Sequence, residues 1–163
     1  MAKLAIIIGF VILGYLIYRS MKQEKQLTSE GKIIDRDRKF MEQAEDFTLT
    51  CSDPGRVTGQ VQQLPFSEMK VSMTAGAQGQ SFQFAFDSVA GGWTAVLSRK
   101  DEPSGQLAYR FQFTHWKTRD GMIVGELYMN QLLTAVEKMF LSIDPNTKVQ
   151  TVYLETKTRH KLF

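Results

Sequence analysis

The sequence has very little of the side-chain chemistry that metal and redox sites use. Cys51 is the only cysteine, which excludes an intramolecular disulfide and a thiolate metal cluster. His115 and His160 are the only histidines, so a histidine-rich metal site is excluded as well. No glycine-rich phosphate loop followed by Lys and Ser or Thr occurs. We therefore expect neither a metal nor any other cofactor.

A strong excess of one charge sign is also lacking. The formal net charge is +3, and the basic residues cluster after the first hydrophobic segment instead of alternating with aromatic residues. Nucleic-acid-binding surfaces carry a concentrated basic patch, so nucleic acid is not an expected partner. Hydrophobic residues at 43% and aromatic residues at 11% of 163 residues are sufficient for one folded domain.

Long hydrophobic runs are absent except at residues 4–18, which contain no charge. No small-x-small cleavage motif follows, so residues 1–18 are predicted to be an uncleaved single-pass transmembrane helix, a signal anchor. Tyr15 and Tyr18 are predicted to form an aromatic belt, and Arg19 and Lys22 to lie among the headgroups. These four residues are the predicted membrane-interface site, with membrane lipid as the partner of the helix.

The basic residues after residue 18 outnumber Lys3 and the terminal amine before the run. By the positive-inside rule, the protein is predicted to lie in the cell membrane with its soluble domain in the cytoplasm. Residues 19–45 are predicted to be a charged stalk in which Gly31 breaks the helix. Helical spacing of apolar residues also predicts a short amphipathic helix within residues 35–46.

Residues 46–163 are predicted to form a soluble α+β domain with the element order β-α-β-β-β-β-α-β. Asp53 and Pro54 indicate the start of the short first helix, a capping side chain followed by a residue that needs no donor. Alternating apolar residues predict the strands. These lie at residues 46–52, 69–73, 82–86, 93–97 and 107–113, with a last strand after a turn at residues 144–147. The four middle strands are joined by short turns, which predicts an antiparallel meander.

A continuous apolar stripe in residues 122–143 predicts a long helix. Because one sheet face is polar, the predicted architecture has two layers, a mainly antiparallel sheet with the helices on its apolar face. Large side chains on both layers predict a filled interior without a ligand cavity. The predicted core contains Phe47, Leu49, Met69, Val71, Phe82, Phe84, Phe86, Trp93, Tyr109, Phe111, Phe113, Leu132, Val136 and Phe140.

His115 is the strongest candidate for catalysis, because it is predicted to continue an aromatic strand face with Asp120 and Glu126 close in sequence. A surface histidine that ends a strand explains the same pattern more simply. Cys51 is predicted to face the core as a small apolar residue. No catalytic residue is therefore assigned.

Three functions remain open at this stage. The preferred one is a non-catalytic interaction or scaffold domain at the cytoplasmic face of a membrane, with a protein partner of unknown identity. The first alternative is a binding module for a lipid or other apolar ligand between the sheet and the long helix. The second alternative is a hydrolase-type enzyme that uses His115.

Overall fold

The computed structural model describes residues 2–37, 39–50, 53–101 and 106–155. The chain divides into an N-terminal unit, Met1–Asp35, and a C-terminal unit, Arg36–Phe163. The predicted role of Cys51 as a small core-facing residue falls outside the described residues, and so does His160.

The N-terminal unit consists mainly of one helix, α1 (Ala2–Ser29). The helix ends at Ser29, two residues before the predicted break at Gly31, and Gly31 adopts a left-handed conformation with φ of 67°. In this conformation the N–H of Lys32 donates to the carbonyl of Leu27 at 2.8 Å, and the Gly31 N–H donates to Thr28 at 2.9 Å. These bonds satisfy carbonyl groups that the end of a helix otherwise leaves without donors.

The predicted membrane span is wrong. In the part of the chain that the structure describes, no helix combines the length and apolar character needed to cross a membrane. As a helix, residues 4–18 extend roughly 22 Å at about 1.5 Å per residue, which is shorter than a hydrocarbon core of roughly 30 Å. Beyond Tyr18 the same helix continues into Arg19, Lys22 and Glu24, so its further length is charged. The predictions of a single-pass signal anchor and of a cell-membrane location are corrected accordingly.

The C-terminal unit is an α+β domain built on a six-stranded antiparallel sheet. The strands of the sheet lie in the order β2 (Ser72–Ala75), β3 (Ser81–Phe86), β4 (Trp93–Lys100), β5 (Leu107–Trp116), β1 (Gln43–Leu49) and β8 (Lys148–Tyr153). With α1, the described residues contain three α-helices. The remaining elements are α2 (Pro54–Gln62), β6 (Thr118–Arg119), β7 (Met122–Ile123) and α3 (Glu126–Ile143). The predicted order is confirmed, except that the short hairpin β6-β7 is additional.

The helix α2 begins where the sequence predicts. The carboxylate of Asp53 accepts a hydrogen bond from the N–H of Gly55 at 2.9 Å, and Pro54 occupies the first turn. A proline is favourable there because the first N–H groups of a helix have no intrahelical acceptor. Val57 and Val61 on one side of α2 are fully buried.

The long helix α3 begins at Glu126, later than the predicted residue 122. Residues 118–123 form the β6-β7 hairpin instead. Gly125 then adopts a left-handed conformation with φ of 77° immediately before the helix. Its carbonyl accepts a hydrogen bond from the indole Nε1 of Trp93 at 3.1 Å, so the start of α3 is attached to β4.

The first strand begins earlier than predicted, at Gln43 rather than Asp46. The amphipathic helix predicted within residues 35–46 is only a 3₁₀ turn, Phe40–Glu42, followed directly by β1. This segment is extended because β1 is a central strand that pairs with β5 on one side and β8 on the other. Phe40 and Met41 are buried in the core of the domain.

All fourteen predicted core residues belong to one hydrophobic core, so the predicted composition of the core is confirmed. The inward face of the sheet packs there against α2 and α3. Phe47 of β1 stacks on Phe140 of α3 with ring centroids 4.4 Å apart, and Tyr109 lies 5.5 Å from the same ring. The opposite face carries polar side chains, including Gln83, Thr94 and Gln112.

Candidate functional site

Two buried clusters of charge lie on opposite faces of β1. Neighbouring residues of a strand point to opposite faces of a sheet. Glu45 therefore faces the helices together with Phe47, whereas Asp46 faces the open side of the sheet. Both acidic residues are buried although they belong to a central strand. Buried charges are uncommon unless they are paired, so the groups around each of these two residues form a candidate functional site.

The Arg36 cluster consists of Arg36, Glu45, Asn130, Thr134 and Glu137. The guanidinium Nη1 of Arg36 donates to Glu45 Oε1 at 3.4 Å, and Nε donates to Asn130 Oδ1 at 3.1 Å. Its Nη2 contacts Thr134 Oγ1 at 3.4 Å and forms an ion pair with Glu137. One arginine thus ties the beginning of the C-terminal unit to both β1 and α3.

Glu45 has a raised pKa in this cluster. Burial raises its pKa from the ordinary value of 4.5 to about 8, and the nearby Glu137 carboxyl adds to the shift, while Arg36 opposes it. Among the described residues, Glu45 Oε2 is buried without a hydrogen-bond partner. With this shift the Glu45 carboxyl keeps its proton to a higher pH than an ordinary glutamate does.

The Asp46 cluster consists of Asp46, Lys100 and Arg110 on the open face. Arg110 binds the carboxylate with two parallel hydrogen bonds, Nε to Oδ1 and Nη2 to Oδ2, both at 2.7 Å. Lys100 Nζ donates to Oδ2 at 2.8 Å. The hydrogen bonds from Arg110 lower the pKa of Asp46, with a further contribution from Lys100, and Asp46 in turn raises the pKa of Arg110. The cluster joins β1, β4 and β5 and is fixed as an ionised group.

The charged side chains of each cluster bind one another. The carboxylate of Asp46 is bound by two cations, and the side chains of Arg36 and Glu45 are each only 10% exposed. A general acid or base must reach a substrate proton within hydrogen-bonding distance. In the described ranges, no group of three or more His, Cys, Asp or Glu side chains is arranged to hold a metal ion. Both clusters join elements of the domain through charged side chains.

His115 was predicted to continue the aromatic, core-facing side of its strand. It faces the other side instead, because β5 contains a β-bulge. Opposite β4, the register passes from Phe113 to His115 and leaves Thr114 as the extra residue. The core-facing position opposite Trp93 is taken by Trp116, and His115 lies opposite Thr94, exposed on the other face. Within the described part of the chain, no carboxylate approaches His115 within hydrogen-bonding or ion-pairing distance. Asp120 and Glu126 are not brought to it.

The four residues of the predicted membrane-interface site lie on α1. Tyr15 and Tyr18 are more than half exposed, and Arg19 and Lys22 are exposed as well. Their predicted contact with lipid headgroups depended on a membrane span and is not tested by any contact in the structure. It does not enter the function proposed below.

The strand β8 is a surface feature that sequence analysis did not single out. It forms one edge of the sheet and pairs only with β1 among the described residues. Val149 and Tyr153 are 45% and 79% exposed, which is unusual for large apolar side chains within a sheet. Their alternation was visible in the sequence, but their position at an edge depends on a sheet order that the sequence does not show.

Comparisons with known proteins give no match to a family model, a curated protein or a solved structure. The geometry of the described residues is therefore the basis for assigning function.

Proposed function

We propose that the C-terminal unit is a non-catalytic protein-interaction domain that binds an extended polypeptide segment along β8. The observation that carries this proposal is the exposed edge of β8, where five of six residues are exposed and the sixth, Val152, is half-buried. An edge strand offers unpaired backbone donors and acceptors, and addition of a strand is a common mode of peptide recognition.

The backbone groups that are available at this edge follow from the pairing of β8 with β1. The N–H of Leu154 donates to the carbonyl of Glu42 at 2.9 Å, so the backbone of Leu154 points towards β1. In an antiparallel ladder this direction alternates with each residue. The backbone groups of Val149, Thr151 and Tyr153 therefore point outwards, where a further strand can bind them.

The edge lacks the features by which proteins normally prevent strand addition. Lys148 is its only charged residue, and it contains neither proline nor a bulge. Natural edge strands are protected by such features or by being very short. The other edge, β2, has only four residues and contains Met73 as its one partly buried large apolar residue. Of the two edges, β8 is the one suited to a partner.

The other two candidate functions have less support from the geometry. His115 is exposed on the open face without a carboxylate beside it in the described residues, which weakens the hydrolase alternative. The stacked rings of Phe47 and Phe140 occupy the space between sheet and helix where an apolar ligand would bind. The non-catalytic interaction domain remains the preferred function, now without a membrane location.

The proposal is tested by photo-crosslinking in the full chain in its native cells. A benzophenone amino acid replaces Tyr153, with the exposed Met122 of β7 as a control position. Thr151→Pro is added in a second set, because it removes an outward N–H and no bond to β1. Thr151→Ala is its matched control.

We expect a specific adduct from position 153 whose yield falls roughly tenfold with Thr151→Pro and is unchanged with Thr151→Ala. Circular dichroism and urea unfolding establish that both variants are folded. An adduct that is equally strong in the proline variant, or equally strong from position 122, contradicts binding along β8.

A further inference from the structure

We infer that the extended segment bound by β8 is β8 of a second copy of this chain, paired antiparallel about a twofold axis at Thr151. This inference rests on the proposed function and specifies its partner. The two six-stranded sheets would then join into one continuous sheet. Twofold pairing is the commonest symmetry of protein dimers, and it requires a surface that is complementary to itself.

The backbone of β8 restricts how two copies can pair. Two residues that lie directly opposite each other in an antiparallel pair exchange two backbone hydrogen bonds only if the N–H and C=O groups of both residues point towards the shared edge. Val149, Thr151 and Tyr153 are the outward residues of each copy. All three are used together only when Thr151 lies opposite Thr151 of the second copy, which places Val149 opposite the second copy's Tyr153.

The side chains are complementary in this same register. Val149, Thr151 and Tyr153 share one face of the sheet, because they lie opposite Phe47, Glu45 and Gln43 of β1. The pairing brings the 45% exposed Val149 beside the 79% exposed Tyr153 of the second copy, and the twofold axis repeats this contact. Pairs of an aromatic and a β-branched residue across strands are among the favourable ones.

Alternative registers leave these side chains exposed. A shift of two residues in either direction preserves the backbone pattern. In one direction Val149 lies opposite Thr151 and Tyr153 opposite Thr147. In the other direction Val149 lies opposite Glu155 and Tyr153 opposite Thr151, so Tyr153 loses its aliphatic neighbour in both. Only the register centred on Thr151 covers both exposed apolar residues.

The charge of β8 is compatible with pairing to itself. Lys148 is the only charged residue of the strand, and in the proposed register it lies opposite Leu154 of the second copy. The two Lys148 residues are six positions apart along the shared edge, which is roughly 20 Å at about 3.3 Å per residue. Repulsion between like charges over this distance is largely screened at physiological salt.

Disulfide trapping in the full chain tests the register. A measurement of the dimer's mass would not show which surface forms the contact. The helix α1 also exposes apolar side chains, such as Val11 and Leu16, through which two chains could associate. In a Cys51→Ser background, Thr151→Cys is compared with Lys148→Cys under mild oxidation. Cα atoms of directly opposed residues lie about 5.5 Å apart, within the range for a disulfide, whereas the two Lys148 positions are too far apart.

We expect covalent dimers of the Thr151→Cys chain to form at least about tenfold faster than those of the Lys148→Cys chain. A mixture of Val149→Cys and Tyr153→Cys chains is expected to give the mixed dimer, and Thr151→Pro added to both chains is expected to abolish it. Equal rates for Thr151→Cys and Lys148→Cys, or a mixed dimer that persists with Thr151→Pro, overturn the inference.

The outcome also separates this inference from the proposed function. If Thr151→Cys gives no dimer while the photo-adduct from position 153 contains a different protein and is lost with Thr151→Pro, self-pairing is wrong and the interaction domain stands. If the photo-adduct is also insensitive to Thr151→Pro, both proposals are wrong.

Discussion

Glu45 binds a proton more tightly in the folded chain than in the unfolded chain, and this sets the direction of one pH effect. Its pKa rises from 4.5 to about 8 on folding, mainly through burial. Between these pH values the native state holds a proton that the unfolded state has released. The free energy of unfolding therefore falls as pH rises through this window, and above the window the lost stability stays constant. Asp46, with its lowered pKa, acts in the acidic range and in the opposite direction.

The variant Glu45→Gln is expected to remove this loss of stability. Glutamine has nearly the same shape, is neutral at every pH and can still accept from Arg36. At about pH 5 the free energy of unfolding should be close to that of the wild type, and at about pH 9 it should be higher by at least about 1 kcal/mol. Urea unfolding across this range is the measurement, with the exposed Asp87→Asn as control. A variant that keeps the wild-type slope would show that another group causes it.

Part of the Arg36 cluster was visible in the sequence. Glu45 occupies an inward position in the alternation that leads through Phe47 to Leu49, and an acidic residue at such a position is a signal for a buried pair. Arg36 was assigned to a charged stalk, because its partners Asn130 and Glu137 lie far away along the chain. Local patterns carry no information on such contacts.

At the scale of elements, the sequence predicted types and order better than boundaries. Strong alternation of apolar residues predicted β3, β4 and β5, and the Asp53-Pro54 pair predicted α2. The bulge at Thr114 was not predicted, since a bulge changes the pairing of a strand without changing its composition. That one residue moved His115 to the open face, away from the aromatic face on which the sequence pattern placed it.

Phe84 and Gln83 are adjacent on β3 and test the assignment of its two faces. Phe84 is buried, 6.1 Å from the Phe111 ring and 5.9 Å from the Phe66 ring, whereas Gln83 is exposed. Phe84→Ala is expected to lower the free energy of unfolding by about 3 to 5 kcal/mol. Gln83→Ala is expected to change it by less than about 0.5 kcal/mol. Urea denaturation measures both, and similar effects at the two positions would refute the assigned register.

Alanine variants of Gly125 and Gly121 distinguish the cost of backbone strain from the cost of steric overlap near the start of α3. Both glycines have positive φ, 77° and 76°, so an alanine is strained at either position. A Cβ at Gly125 would lie 2.5 Å from the Phe86 ring and 3.1 Å from Trp93 Nε1, whereas at Gly121 nothing lies within 4 Å. Thermal unfolding should show a loss of about 1 kcal/mol for Gly121→Ala and at least about 1 kcal/mol more for Gly125→Ala. Equal losses would mean that the rings move aside without cost.

One part of the sheet follows from local sequence patterns, and another part depends on pairing between strands that are far apart in the sequence. The meander β2-β3-β4-β5 connects neighbours in sequence, so turn and strand patterns were sufficient to predict it. The insertion of β1 between β5 and β8 joins the two ends of the domain, and no sequence pattern indicates it. The proposed interaction edge exists only because of this insertion, which explains why sequence analysis favoured an interaction domain but did not locate its surface.

The interior of the C-terminal unit is expected to be filled, and Val136 of α3 tests this. Val136 is fully buried in the core together with Leu132 and Phe140 of the same helix. A filled core cannot accept a larger side chain without strain, so Val136→Phe is expected to lower the free energy of unfolding by about 1 to 3 kcal/mol. Leu141→Phe, at an exposed position of the same helix, is expected to change it by less than about 0.5 kcal/mol.

Urea unfolding measures both variants, and native mass spectrometry of the full wild-type chain detects any bound apolar molecule. A ligand cavity requires on the order of 300 Å³, more than enough space for the additional atoms of a phenylalanine. If Val136→Phe were neutral or stabilising and displaced a stoichiometric adduct seen with the wild type, the space between α3 and the sheet would be a binding site. The ligand-binding alternative would then replace the interaction domain as the preferred function.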